Sequence, residues 1–502
     1  MPLLPVPDDG VAVRMYRQGH GDCFLLALPR EGGGAPYYVL IDCGLKPGSE
    51  KFLDHKQPIA KVVKHLHESC GGRIDLAILT HEHQDHLNGI WRTNDPPFGP
   101  FDIQEVWVAW TEDPDHDLAN QLRERHKDQL LGILAARREL ALAAAESSAV
   151  HRIDQLLSLE LGGGSENHSL DELLAAAEDP EKSINKQGLK LVKDKGAANR
   201  GCFFLKPGGK PLDLEGSAGV RAFILGPPES AELIGDEDPQ GDEGFPRDHS
   251  FSFAAAARTP NGERVSPFRR QYCVPINDAL DEGGTFFSQH YGRDGADDDS
   301  DGARVPGHAP FRRIDDEWLY SAETLALKLN EGINNTSLVV AFELPKSRKV
   351  LFFAADAQRG NWFSWKDVTF QDGGETVDAR DLLSRTVLYK VGHHGSHNAT
   401  LAGKTTDTYA NLSWMAQGQH ASEFTAMITA VNEWAMTKNN PPWVHPLPSI
   451  KTALRRKAQG RVLQTDENKP RKPAGVSAGE WKRFTDRLVL DDLYFDLTIE
   501  DG

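Results

Sequence analysis

The sequence predicts an α+β fold in which strand-rich segments are interrupted by a helical insertion and by acidic, loop-rich insertions. Three observations carry the prediction. Short β-rich runs alternate with helical stretches at both ends of the chain. Near residue 115 the texture changes to Ala and Leu at helical spacing, and near 229 it changes again to runs of acid. The 502 residues exceed what one hydrophobic core usually organises, so a large domain with insertions, or two domains, is expected.

In the first segment, 1–111, the strands are Val11–Tyr16, Phe24–Leu28 and Tyr37–Ile41, the last two separated by the turn Glu31-Gly32-Gly33-Gly34. Ile59–Leu66 has helical spacing, Leu76–Thr80 is an apolar strand, and Val106–Trp110 is another. Segment 112–200 reads as the helical insertion. Leu118, Leu122, Leu130 and Leu134 share one face, with His126 on the same stripe as a core or boundary histidine, and Gly162-Gly163-Gly164 precedes a second helix at Leu170–Ala177. Segment 201–228 returns to the core through Arg221–Leu225, closed by Gly226-Pro227-Pro228. Segment 229–320 is variable: Glu229 to Asp248 holds eight acids against Arg247 alone, and Asp294–Asp301 holds five more. Such runs are usually solvated loops. Strands resume in 321–470 at Leu338–Leu344, Val350–Ala354, Thr386–Val391 and Phe424–Val431, and 471–502 reads as a C-terminal extension.

Composition narrows the class of function. Apolar residues make up 39% and charged residues 26%, a soluble globular balance. The net charge of -18 argues against wholesale wrapping of nucleic acid, although a local basic groove is compatible with it. No run approaches the roughly 20 apolar residues that span a bilayer, and the start MPLLPVPDDG lacks a basic leader, so a cytoplasmic protein is expected. Five cysteines without a CxxC pair make a disulfide framework or a cysteine zinc site an unlikely design.

The chemistry concentrates at three strand ends. Leu76–Thr80 runs straight into His81-Glu82-His83-Gln84-Asp85-His86. A strand end is a rigid platform, and a loop folded on it can point alternate side chains at a common centre. Imidazole with carboxylate suits Zn, Mn or Fe better than Ca or Mg. Downstream, Val350–Ala355 ends in Asp356, a carboxylate that is costly to bury without a cation or donor beside it. Thr386–Val391 ends in Gly392-His393-His394-Gly395-Ser396-His397.

These motifs resemble the metallo-β-lactamase superfamily, and within it the hydrolase domain of the competence protein ComEC and its soluble relatives. The residues that carry the likeness begin with Gln18-Gly19-His20-Gly21-Asp22, Ile41-Asp42-Cys43-Gly44 and the His81–His86 run. They continue with Asn334-Asn335-Thr336-Ser337, Asp356, Val391–Ser396 and Val444-His445-Pro446, and the likeness covers about 10–110, 201–228 and 330–470. The resemblance implies a four-layer αββα sandwich with one or two divalent ions, Zn or Mn, at strand ends. By resemblance His81 and His83 bind the first metal, Asp85 and His86 the second, Asp356 bridges them, and His393 completes the second site. The superfamily's further first-metal histidine is missing; Asn334 stands there, and His290 or His308 are the substitutes considered. Asp22 and Asp42, with Asn334 and Asn335, are expected to orient ligands or tie down loops. His394 and His445, with Asp85, are the expected catalytic groups, contacting a phosphate or protonating a leaving oxygen.

The resulting expectation is a hydrolase that uses metal-activated water, acting on a phosphodiester of nucleic acid or a nucleotide. The sequence has no nucleophile elbow and no P-loop. From Lys451 to Lys472 eight bases face Asp466 and Glu467, and Lys451, Arg455 and Arg456 are the expected substrate-binding residues. Two alternatives stand beside this. One is hydrolysis of a carbon ester, thioester or lactam, which predicts an apolar pocket by the metals. The other is a regulatory module that meets protein partners through 112–200 and 229–320.

Overall fold

The structure, a computed structural model, describes residues 3–91, 95–144, 150, 153, 154, 157, 183–246, 332–438 and 443–502. Two large mixed sheets organise it. The first contains β1 (Gly10–Tyr16), β2 (Cys23–Leu28), β3 (Tyr37–Cys43), β4 (Arg73–Ile78), β5 (Asp102–Ala109) and β6 (Gly201–Leu205) in sequence order. The second takes β7 (Leu212–Asp213), β8 (Arg221–Gly226), β9 (Val339–Glu343) and β10 (Val350–Phe353). A hairpin of β11 (Thr369–Asp372) and β12 (Glu375–Asp378) stands apart, and β13 (Thr386–Lys390), β14 (Thr425–Ile428) and β15 (Val462–Gln464) complete the second sheet. The last strands, β16 (Leu488–Leu490) and β17 (Tyr494–Glu500), return to the first sheet beside β1.

Side chains alternate along each strand, so the two sheets share three large apolar clusters. Val11, Val13 and Met15 of β1 meet Val340, Phe342, Leu351 and Phe353 of the other sheet in one cluster. Leu25, Leu40 and Ala77, on the opposite face of the first sheet, pack with Val62 and Leu66 of helix Ile59–Cys70 and with Leu189 and Val192 of helix Ile184–Ala197. Phe223, Phe352 and Tyr389 of the second sheet pack with Trp362, Leu382 and Leu454 from three further helices. Because strands of both sheets are apolar on both faces, they appear in sequence as continuous apolar runs.

The parallel pairs matter most for function. β3, β4, β5 and β6 run parallel, and so do β10, β13, β14 and β15. Their carboxyl ends release the loops that hold His81–His86, Asp356, His393 and Thr429, which is where ligand sites form in parallel sheets.

Two boundaries need correction. Residues 471–502 are not an extension: β17 pairs with β1 from Gly10↔Glu500 to Tyr16↔Tyr494, and Phe495, Leu497 and Ile499 enter the central cluster. Arg14 Nε and Asp496 Oδ1, 2.7 Å apart and largely buried, fasten the pair. Within 112–200, helix Ile184–Ala197 is the crossover between parallel β5 and β6 and packs on the sheet, so it belongs to the core rather than to an excursion. Helix Asp117–Ala144 is the other long helical element described there. The expected helix Leu170–Ala177, the acidic run Asp294–Asp301, and His290 and His308 lie outside the described residues. Among the described residues no helix is long and apolar enough to cross a membrane.

Candidate metal centre

The ligand loop is seated by glycines that nothing larger can replace. Gly44 lies so close to it that a Cβ would fall 2.4 Å from the carbonyl carbon of Asp85 and 2.5 Å from the His86 nitrogen. Gly21 presses on the same turn, and the N–H of Asp22 donates to the Asp85 oxygen at 3.0 Å. Gln18 then joins the two glycine loops, its Nε2 donating to Gly21 O and Gly44 O at 2.8 Å each. The backbone around the site is also strained. Asp42, Ala355, His393 and His394 have φ of 53°, 46°, 41° and 53°, half of the eight positive-φ non-glycine residues described. Each costs about 1–2 kcal/mol, so the surrounding contacts must hold them there.

Held this way, Asp85, His86, Asp356 and His394 converge. One ligand atom from each lies within 4.8 Å of the others, and all four are buried. The second-layer contacts decide which imidazole nitrogen faces inward. Asp42 Oδ2 lies 2.7 Å from His86 Nδ1, while Thr80 donates to Asp42 through its N–H at 2.9 Å and its Oγ1 at 2.6 Å. That leaves His86 Nε2 facing Asp356 Oδ2 at 3.2 Å, without a hydrogen-bond partner. Likewise His394 Nδ1 lies 3.1 Å from Thr429 O, so its Nε2 points to Asp85 Oδ2 at 2.9 Å. Asp85 Oδ1 is buried and has no hydrogen-bond partner either. Two inward nitrogens and two carboxylates, each imidazole backed by an acceptor, form a donor set compatible with a divalent metal ion.

The electrostatics keep the two carboxylates charged. Burial alone would raise the Asp356 carboxyl, yet His86, His394 and Lys390 overrule it and hold it well below the usual carboxylate range. Asp85 is likewise driven well down against burial, chiefly by Lys46 and His394. Both are therefore ionised and ready to bind a cation.

The geometry groups His394, rather than the expected His393, with Asp85, His86 and Asp356. His394, not His393, sits in the cluster. His393 is buried beside it with Nδ1 unpartnered and Nε2 3.5 Å from Asn334 Nδ2, and burial lowers its pKa to about 3. The reason is local: two successive residues in the left-handed region turn the loop so that only the second imidazole faces Asp85. His81 and His83 touch each other, Nε2 to Nδ1 at 3.1 Å, with His81 Nε2 3.9 Å from Asp356 Oδ2. Asn335 is structural: it donates to Ile234 O and Asp236 O and accepts from the Gln358 N–H. Asp22 accepts from Thr429 Oγ1 at 2.6 Å and pairs with Lys390. His445 stacks with His20 and Trp443 at the edge of the cluster.

Helix Pro448–Lys457, which carries Lys451, Arg455 and Arg456, is placed differently from expectation. Its N-terminus does abut the histidine loop, Leu447 donating to Gly395 O at 2.9 Å. Lys451 and Arg455, however, converge on Glu467 at 3.0 and 2.8 Å rather than on the cluster, and Arg456 is exposed.

Two lysines that belong to none of the sequence motifs, Lys46 and Lys390, also reach the cluster. Lys390 is fully buried, donating to Ala355 O at 2.7 Å, and it reaches Asp356 Oδ1 at 3.3 Å as well as Asp22. Lys46 Nζ lies 3.5 Å from Asp85 Oδ2 and 4.5 Å from the Trp443 ring centre. Only Lys390 left a signal: a single charge ending an apolar strand.

Comparison with protein-family models, curated proteins and solved structures finds no match for this chain.

Replacing Asp42 with Ala removes the acceptor that fixes His86. Metal affinity should fall about 10–100-fold, measured by competition with a chromophoric chelator. Unchanged affinity would show that His86 needs no such support.

A cavity of about 290 Å³ borders the ligand loop, lined by Glu82, Glu112, Arg125, Lys186, Ile333 and Thr336 among others. Burial, and then Glu82, raises the Glu112 carboxyl to about 7 although Lys193 Nζ stands 3.7 Å away. A carboxyl raised in the folded state destabilises that state as pH climbs from its unfolded value through the folded one. Glu112→Gln should therefore stabilise the protein at pH 8 by on the order of 1–3 kcal/mol and change little at pH 4.5. Urea unfolding at the two pH values tests this; equal effects at both would refute the assignment.

Proposed function

We propose that the protein is a metal-dependent phosphodiester hydrolase of the metallo-β-lactamase type, similar to ComEC-like enzymes, with helices outside both sheets in an αββα sandwich. The observation that carries this reading is the convergence of Asp85, His86, Asp356 and His394 from three strand ends. These four residues would hold a divalent ion, which would supply Lewis acidity and make water a stronger acid near neutral pH. The chain's own residues do the rest. Asp42 and Thr429 fix the two imidazoles, Lys390 holds Asp356, and the His20–His445 stack shields one side of the centre.

Phosphodiesters are favoured over carbon esters by the groups beside the cluster, which are polar: the Lys46 ammonium and the imidazoles of His20, His393 and His445, which burial keeps neutral. An apolar acyl pocket would present hydrocarbon there. Since Lys451 and Arg455 are engaged by Glu467, a small phosphodiester or nucleotide suits the site better than a long polyanion.

The test is a substrate panel with chelator-stripped protein reloaded with Mn²⁺ or Zn²⁺. It comprises bis-p-nitrophenyl phosphate, cyclic dinucleotides, single-stranded DNA and RNA, and a thioester. Metal-dependent cleavage of phosphodiesters is the expected result. Cleavage of the thioester alone would overturn the proposal.

A further inference from the structure

Metal binding does not account for the cavity beside the ligand loop. Its volume of about 290 Å³ lies at the lower end of the range of ligand pockets, about 300–1,000 Å³. It therefore admits one ring system or a small head group and no oligomer. One wall is helix Asp117–Ala144, which contributes Leu122, Arg125, His126 and Gln129. Positions i, i+3, i+4 and i+7 make a single helical face. Other walls are the ligand loop, through Glu82, and the turn before β9, through Ile333 and Thr336. The cavity thus lies where the long helix between β5 and β6 meets the loops of the core.

Its lining has a definite hydrogen-bonding character. A helical face turned towards its own protein is ordinarily apolar, yet Arg125, His126 and Gln129 are polar. Among the described residues the side chains of Arg125, Gln129 and Glu82 have no hydrogen-bond or ion-pair partner. Leu122, Ile234 and Ile333 add apolar surface that suits a flat ring. A carboxylate matches a ligand edge with two adjacent N–H donors, and a guanidinium matches an edge with two adjacent acceptors. Guanine carries both edges: N1–H beside its 2-amino group, and O6 beside N7. Adenine places a donor beside an acceptor, and uracil sets one N–H between two carbonyls.

The cavity and the metal cluster also share the ligand loop. Glu82 stands between His81 and His83, and Thr336 precedes Ser337, whose Oγ lies 3.3 Å from His81 Nδ1. We propose that the cavity is a guanine pocket, in which Glu82 accepts from N1–H and the 2-amino group while Arg125 donates to O6 and N7. This rests on the phosphodiesterase reading above for its purpose and deepens it, since a guanine nucleotide held by its base has its phosphate left for the neighbouring cluster. Recognition of the base itself needs no metal.

Isothermal titration of the chelator-stripped full chain with GMP, IMP and AMP tests this. The three share ribose and phosphate, so differences between them come from the base. GMP should bind about tenfold or more tightly than IMP, which lacks the 2-amino group, and AMP should bind no better than IMP. Glu82→Gln should bring GMP down to the affinity of IMP. Arg125→Met should weaken GMP and IMP alike by about tenfold, because both carry O6 and N7, and so keep their ratio. Equal affinities for the three nucleotides, no measurable binding of any, or an undiminished preference for GMP in Glu82→Gln would each overturn the inference. Those outcomes leave the phosphodiesterase reading standing. Conversely, a preference for GMP in a protein that cleaves no phosphodiester would sink that reading and leave the pocket.

Discussion

Asp356→Asn is expected to lower phosphodiester turnover by at least on the order of 10²–10³ while leaving the fold intact. The carboxylate reaches both imidazoles of the cluster and a buried lysine. Its Oδ2 lies 3.2 Å from His86 Nε2 and 3.5 Å from His394 Nε2, and its Oδ1 lies 3.3 Å from Lys390 Nζ. An amide of the same shape keeps the packing but withdraws a full negative charge from a buried site. It also leaves Lys390 with Asp22 as its one carboxylate contact, so the bound metal should fall along with the rate. Elemental analysis and initial rates on bis-p-nitrophenyl phosphate, measured on the same preparation, check both. A variant that loses metal and keeps its rate would show that the chemistry lies elsewhere.

Gly44→Ala should unfold the ligand loop, at a cost of about 3 kcal/mol or more. The added methyl would fall 2.4–2.6 Å from Asp85 and His86 backbone atoms, and backbone cannot swing aside as a side-chain tip can. Gly132→Ala is the matched control. Gly132 lies within helix Asp117–Ala144, and an added Cβ there meets nothing within 4 Å. That change should stabilise by up to about 1 kcal/mol through helix propensity. Urea denaturation of the two variants should therefore move in opposite directions. If Gly44→Ala unfolds like the parent and binds metal equally well, the loop is not seated as described.

Much of this arrangement was legible in the sequence because apolar spacing and ligand chemistry leave strong local signatures. The strands at Val11–Tyr16, Arg221–Leu225, Leu338–Leu344 and Thr386–Val391 each fall where alternating or continuous apolar runs placed them. What eluded the sequence was either long-range or conformational. That Tyr494–Glu500 is a structural strand depends on a partner at the other end of the chain. Which of His393 and His394 faces the cluster depends on two backbone angles, and spacing cannot reveal those. Lys451 and Arg455 were expected at the substrate because their charge is conspicuous; Glu467, a few residues further on, claims it. Asp42, expected to orient a ligand or tie down a loop, lies 2.7 Å from His86 Nδ1, a contact that its place at a strand end beside the histidine run made foreseeable.

The pairing of β1 with β17 has a bearing on how the molecule is made. Arg14 and Asp496 are 482 residues apart in sequence yet joined by hydrogen bonds. During synthesis the first strand must wait, with one edge unpaired, while nearly the whole remaining chain is added. His394, which completes the candidate cluster, and Thr429, which contacts it, also emerge late. The early segment, with His81 to His86 already present, therefore spends most of translation as an open sheet edge with its cluster incomplete. Chaperone capture should concentrate in that interval, and a ribosome stalled before residue 494 should hold a chain whose first sheet still lacks its β17 partner.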